Sequence, residues 1–167
     1  ERLAAPARGH VGIAARVVES GERVSSKGTD HFPMQSVYKL AIDYAVLQRV
    51  DAGRMKLDEK VRIEKADLPP SGVVSPIRES HPEGGFEMTL EELLRAAIVE
   101  SDGTACDVLL RLMPAAEVTE ALRRLAALLP RDPFVFIFAD AFHFQAERHF
   151  AERRAPRKQL RKVLEHD

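Results

Sequence analysis

Ser36 and Lys39 stand three residues apart in Ser36-Val37-Tyr38-Lys39, a spacing that puts both side chains on one face of a helix. A serine hydroxyl is a poor nucleophile until a neighbouring base takes its proton, and a partly desolvated lysine can be that base. At the first turn of a helix the serine also brings its own N–H, one of the donors with no intrahelical partner, to where a developing oxyanion can be held. S-x-x-K by itself arises often by chance, and the plain alternative is a first-turn serine followed by a solvated lysine. A second hydroxyl lies in Ser101-Asp102-Gly103. That turn can present Ser101 to the first pair as a proton relay, or simply cap the next helix.

These groups need elements to hold them. Apolar residues at Val37, Leu40, Ala41, Tyr44, Ala45, Leu47 and Val50 predict a helix over Ser36–Ala52, apolar nearly all round and hence buried, with Gly53 as its C′ residue. Thr89 and Glu92 fit a capping box and open a second helix that stops at Ser101-Asp102-Gly103. Further helices are predicted over Thr104–Met113 and, beyond Pro114, over Ala116–Leu129. Val11, Ile13, Ala15 and Val17 alternate as in a half-buried strand, and Arg23–Ser26 returns as a second strand after Glu19-Ser20-Gly21-Glu22, giving an N-terminal hairpin. Residues 56–86, broken by Pro69-Pro70, Pro76, Pro82 and Gly84-Gly85, read as a long irregular stretch. Phe134–Phe138 reads as a short strand, and residues from about 141 onward as a basic helix.

Composition narrows the function classes. With 25 basic and 26 acidic residues and a net charge of −1, no overall field recommends nucleic acid or an anionic membrane as a partner. The basic run Arg153-Arg154, Arg157-Lys158 and Arg161-Lys162 is preceded by Glu152 and followed by Glu165, as on a solvated face. No apolar run is long enough to span a bilayer. Cys106 is the single cysteine, so neither an internal disulfide nor a Cys-type zinc site is expected. His143 and His149 are six residues apart and fall on different faces of a helix, which argues against a metal centre. No cofactor is expected. The chain contains no Asn at all.

Residues 31–40 (HFPMQSVYKL), 75–85 (SPIRESHPEGG) and 89–112 (TLEELLRAAIVESDGTACDVLLRL) together resemble the class A serine β-lactamases, closest to the extended-spectrum subgroup typical of Bacteroides-like bacteria. The resemblance runs over about residues 5–124. It implies an α+β fold of the β-lactamase/transpeptidase type, with a helical central region and an antiparallel sheet reduced to the N-terminal hairpin plus the strand at 134–138. It also implies Ser36 as the acylated nucleophile, Lys39 as its base partner and Ser101 as the hydroxyl that relays a proton to the lactam nitrogen. Ser101, Gly103 and Tyr38 would meet the substrate. Phe32 and Asp102 would be structural residues beside the site, and the loop around Val73–Ile77 one wall of its mouth. The partners implied are β-lactam small molecules, acting on a monomer in the periplasm or outside the cell. Glu1 as first residue fits a chain whose export signal has been removed.

Three departures bear on activity. Gly103 stands where the family's second motif has Asn. The family's deacylating carboxylate belongs to an E-x-x-L-N loop, which a chain without Asn cannot contain as written, and no K-T-G follows Ser101; Lys27-Gly28-Thr29 has the wrong order and precedes Ser36. Composition also shifts after residue 124, with six of the eight Phe between Phe134 and Phe150. The chain is therefore read as a β-lactamase-like catalytic region, 1–124, joined to a divergent Phe- and Arg-rich tail, 125–167, as truncation or a frameshift would produce. The expected function is a serine hydrolase that opens β-lactam rings through an acyl-enzyme on Ser36 and is impaired in deacylation. The alternatives are a β-lactam-binding module that acylates without turnover, or an inactive fragment.

Overall fold

The computed structural model describes residues 5–7, 9–28 and 30–128, and the chain divides into two units, Glu1–Pro33 and Met34–Asp167. In the first, β1 (Ile13–Arg16) pairs antiparallel with β2 (Arg23–Ser26), placing Ile13 opposite Ser26 and Arg16 opposite Arg23. The predicted hairpin is present, but its first strand is not half-buried. Ile13 is 55% exposed and Val24, on the returning strand, 68%, because two strands make no second layer to cover their apolar side chains.

The second unit carries the helices. A 3₁₀ turn, Gln35–Val37, leads into α1 (Tyr38–Asp51). Gly53, at φ +70, ends the helix, with the Arg54 N–H donated back to the Arg49 carbonyl at 2.9 Å, a turn that glycine enters without steric cost. Then come β3 (Lys60–Ile63), α2 (Pro76–Ser80), β4 (Phe86–Thr89), α3 (Leu90–Val99), α4 (Gly103–Leu112) and α5 (Ala115–Leu128).

The stretch 56–86 is thus more ordered than its prolines and glycines suggest. β3 pairs antiparallel with β4, Val61 opposite Met88 and Ile63 opposite Phe86. Val61 and Ile63 enter the core, while the oppositely charged Arg62 and Glu87 face each other on the outer side. The helix α2 forms where Ser75 caps it through the Arg78 N–H and Pro76 supplies a pre-set first residue.

β4 runs directly into the predicted capping box. The Glu92 N–H reaches Thr89 Oγ1 at 3.2 Å and the Thr89 N–H reaches Glu92 Oε2 at 2.7 Å; the Thr89 backbone N–H, and then its hydroxyl, hold the Glu92 carboxyl below its ordinary pKa. α1 packs on α3, α4 and α5, and α3 on α4. Ile42 and Val46, Ile63, Leu90 and Leu93, and Leu109 and Val118 close the core between them.

The first helix is buried on one side only. Ile42 and Val46 are fully enclosed, but Leu40 remains 60% and Leu47 44% exposed, which corrects the expectation of burial all round. The strand at Phe134–Phe138, the basic helix from about 141, and His143 and His149 lie outside the described residues. Among the described residues no helix is long and apolar enough to cross a membrane.

One core residue is out of keeping with its surroundings. Asp43 is buried in α1, and its Oδ1 has no hydrogen-bond partner among the described residues. Desolvation pushes its pKa from 3.8 up to about 7. The folded chain therefore keeps a proton that the unfolded chain has already lost between pH 4 and 7, so stability falls as pH rises through that window and levels off above it. Asp43→Asn should remove this dependence. The variant should gain on the order of a few kcal/mol over the parent at pH 8, with the gap closing towards pH 4, as urea unfolding at a series of pH values will measure.

Candidate active site

Two backbone distortions bring the site together. Gln35, just before Ser36, has φ +50, and Ser101 has φ +55. Neither is a glycine, and such left-handed residues persist only where the surroundings over-determine them. The first sets Ser36 in the 3₁₀ turn at the entrance to α1, where first-turn N–H groups lack helical partners. The second lifts Ser101 out of the line between α3 and α4, so that its hydroxyl points at Ser36.

The three predicted catalytic residues converge. Lys39, buried in α1, donates from Nζ to Ser101 Oγ at 2.9 Å and also to the Ser101 carbonyl. Ser101 Oγ in turn donates to Ser36 Oγ at 2.8 Å. Among the described residues, the lysine reaches the first serine through the second rather than directly. This order is invisible in the S-x-x-K spacing. The arrangement is a continuous proton path between an ammonium and two hydroxyls, with Ser36 Oγ at its exposed end.

Asp102 lies directly beneath. It is fully buried, and its carboxylate accepts from the Ile77 N–H at 2.8 Å, the Ala105 N–H at 2.9 Å and the Ser75 hydroxyl at 3.1 Å. Ser75 and Thr104 hydroxyls meet at 2.7 Å. Since Ser75 gives its proton to Asp102, Thr104 must donate to Ser75. Asp102 is at once the N-cap of α4 and the clamp that ties the start of α2 to the Ser101 turn. Ser75 and Thr104 were not singled out in the sequence; the Ser-Pro pair at the start of α2 was the available signal for the first of them.

The remaining expected residues fall as follows. Gly103 is buried and donates its N–H to the Val74 carbonyl at 2.9 Å. Tyr38 is half-buried against the core, and its hydroxyl is a hydrogen-bond partner of the Cys106 thiol, so the ring reaches beneath the site. Phe32 belongs to the first unit, where its ring stacks on His10 with centroids 5.1 Å apart. Cys106 is fully buried, and desolvation pushes its thiol up to about 12, which leaves it inert as a nucleophile. Among the described residues no group of three His, Cys, Asp or Glu is placed to hold a metal ion.

Because Asp102 joins the start of α2 to the start of α4, its loss should be felt in fold and site together. Asp102→Ala leaves two buried N–H groups and a hydroxyl without their acceptor and should cost about 3 kcal/mol or more, read as a lower urea midpoint.

The family model for the beta-lactamase enzyme family matches residues 1–139. Among curated proteins, beta-lactamase VEB-1 of Pseudomonas aeruginosa is 39% identical over 103 residues, which is 60% of this chain and 34% of that protein. A beta-lactamase of Bacteroides uniformis is 37% identical over 100 residues, 60% of this chain and 33% of that one. Among solved structures, a beta-lactamase from Chitinophaga pinensis superposes with a TM-score of 0.66 at 42% identity, covering 75% of this chain and 46% of its own. An ancestral class A beta-lactamase gives 0.65 at 37%, covering 74% and 46%. The resemblance to class A β-lactamases and the α+β fold read from the sequence both hold in these comparisons. The chain spans about a third of the length of the curated relatives and under half of the solved structures.

Proposed function

The chain belongs to the beta-lactamase enzyme family, and on that premise we propose that Ser36 attacks β-lactams and retains them as a long-lived acyl-enzyme. The observation that carries this reading is the unbroken run of hydrogen bonds from Lys39 through Ser101 to Ser36. With Lys39 as the free amine, the Ser36 proton passes to Ser101 Oγ as the Ser101 proton passes to Lys39 Nζ. The Ser36 oxygen then forms a bond to the lactam carbonyl carbon. When the ring C–N bond breaks, the nitrogen takes a proton from Ser101, which is replenished from Lys39. The Ser36 N–H serves as one oxyanion donor. Tyr38 and Gly103 belong to the proposed substrate surroundings as supports, Tyr38 half-buried against the core and Gly103 buried behind Val73 and Val74.

Release is a different matter. Hydrolysis of the ester needs a base to activate water, and these 167 residues contain neither E-x-x-L-N nor a K-T-G after Ser101. Attack is equipped and deacylation is not. The second reading, a β-lactam-binding module that acylates without turnover, differs only in the rate of that last step and is favoured by the same missing motifs. The setting proposed is the periplasm or exterior of a bacterium, with the chain acting as a monomer. Residues 125–167 are read as a replacement for the family's own continuation.

Intact-mass measurement after exposure to benzylpenicillin should show one adduct of the drug's mass. Ser36→Ala should abolish it, and Ser101→Ala should slow its formation by about 10²-fold. A chromogenic cephalosporin should give a stoichiometric burst with little steady hydrolysis. Sustained turnover would overturn the impaired release, and no adduct on the native protein would overturn acylation itself. For the tail, sequencing through the genomic locus should reveal E-x-x-L-N and K-T-G in another frame downstream of Ser101; their absence from all three frames would rule out a frameshift.

A further inference from the structure

Gly103 begins α4 and is buried, yet it does not adopt the left-handed backbone that demands glycine. What forbids a side chain is space. A Cβ at residue 103 would lie 2.6 Å from Val73 Cγ1, 3.2 Å from the Val74 carbonyl oxygen and 3.6 Å from Pro69 Cγ. The first distance is far inside van der Waals contact. The Val74 carbonyl is also the acceptor of the Gly103 N–H. The 69–74 segment is therefore seated on the bare Cα of residue 103, two positions beyond the Ser101 hydroxyl, and its next residue, Ser75, is tied to Asp102. Val73 fills the volume that a side chain at 103 would need.

We propose that Gly103 and Val73 form a coupled positioning pair that sets how closely this wall approaches Ser101, and thereby which β-lactams reach Ser36. The part concerning β-lactams rests on the acylation reading above; the part concerning the wall does not. A wall that packs directly on residue 103 leaves less room beside Ser101 than one held off by a side chain there, which favours compact substrates over those with bulky acyl side chains. It also means that the amide the family carries at this position cannot simply be put back, because Val73 occupies its place.

The test uses the full chain in four forms: parent, Gly103→Ala, Val73→Ala and the double variant. Hydrogen exchange follows the residue 103 amide and the 69–75 segment, and intact mass follows the rates of adduct formation with benzylpenicillin and with a bulky oxyimino-cephalosporin. Gly103→Ala should speed exchange in this segment about tenfold and shift the rate ratio towards the bulky drug by several-fold. In the double variant both readouts should return towards the parent, because trimming Val73 leaves the Val74 oxygen as the nearest neighbour of the new methyl group. Gly103→Asn alone should slow acylation rather than speed it. Unchanged exchange in Gly103→Ala, or no rescue by Val73→Ala, would overturn the pairing. A Gly103→Ala chain that fails to fold while the double variant folds would support it, and failure of both to fold would overturn it. If the parent forms no adduct, the acylation reading and the specificity role fall together, while exchange still decides the wall.

Discussion

Everything near Ser36 depends on one buried carboxylate. Asp102 is enclosed without a water surface of its own, so its charge must be met by donors the fold supplies, and it collects them from the first turn of α2, from its own helix and from a serine hydroxyl. Donors converging on a carboxylate at a helix N-terminus gain from the helix dipole as well as from the individual bonds. The result is a rigid corner in which residue 101 has little choice of conformation. The left-handed backbone of Ser101 is unfavourable alone, and this corner, with the Lys39 ammonium held on its carbonyl and hydroxyl, is what sustains it.

From that corner the site is assembled with little freedom to spare. Lys39 is carried on a helix whose inner face is locked into the core by Ile42 and Val46, so its ammonium has one direction in which to find hydrogen bonds. Ser101 lies in that direction and Ser36 beyond it. On the proposed reading the chain commits its stability to the first chemical step, with nucleophile, relay and amine already in register before any ligand arrives.

Much of this was legible in the sequence, for identifiable reasons. Thr89 and Glu92, Gly53 and Asp102 are residues whose preferences act within a few positions; the first three mark the helix boundaries they were expected to mark, and Asp102 proves to cap α4. β3 and β4 were missed because a four-residue strand carries too few alternations to stand out, and its partner lies beyond a proline- and glycine-rich segment. The one-sided burial of α1 was missed because an apolar side chain reports its own preference and not whether a neighbour exists to cover it. For the site, Ser36, Lys39 and Ser101 were identifiable as types. Their order along the proton path was not, since it follows from two backbone angles, at Gln35 and Ser101, that no spacing rule encodes. Asp43 shows the opposite limit: an acid on a helix reads as solvated until the packing around it is known.

Cys106 is fully buried in α4, where Tyr38, Lys39, Asp43 and Asp102 all act on its thiol. Its thiol is shut off from reagents for as long as α1 and α4 stay together. The chain thereby carries a single built-in chemical clock for the opening of its own foundation: the pace at which an alkylating agent labels this sulfur is the pace at which the ground under Ser101 gives way.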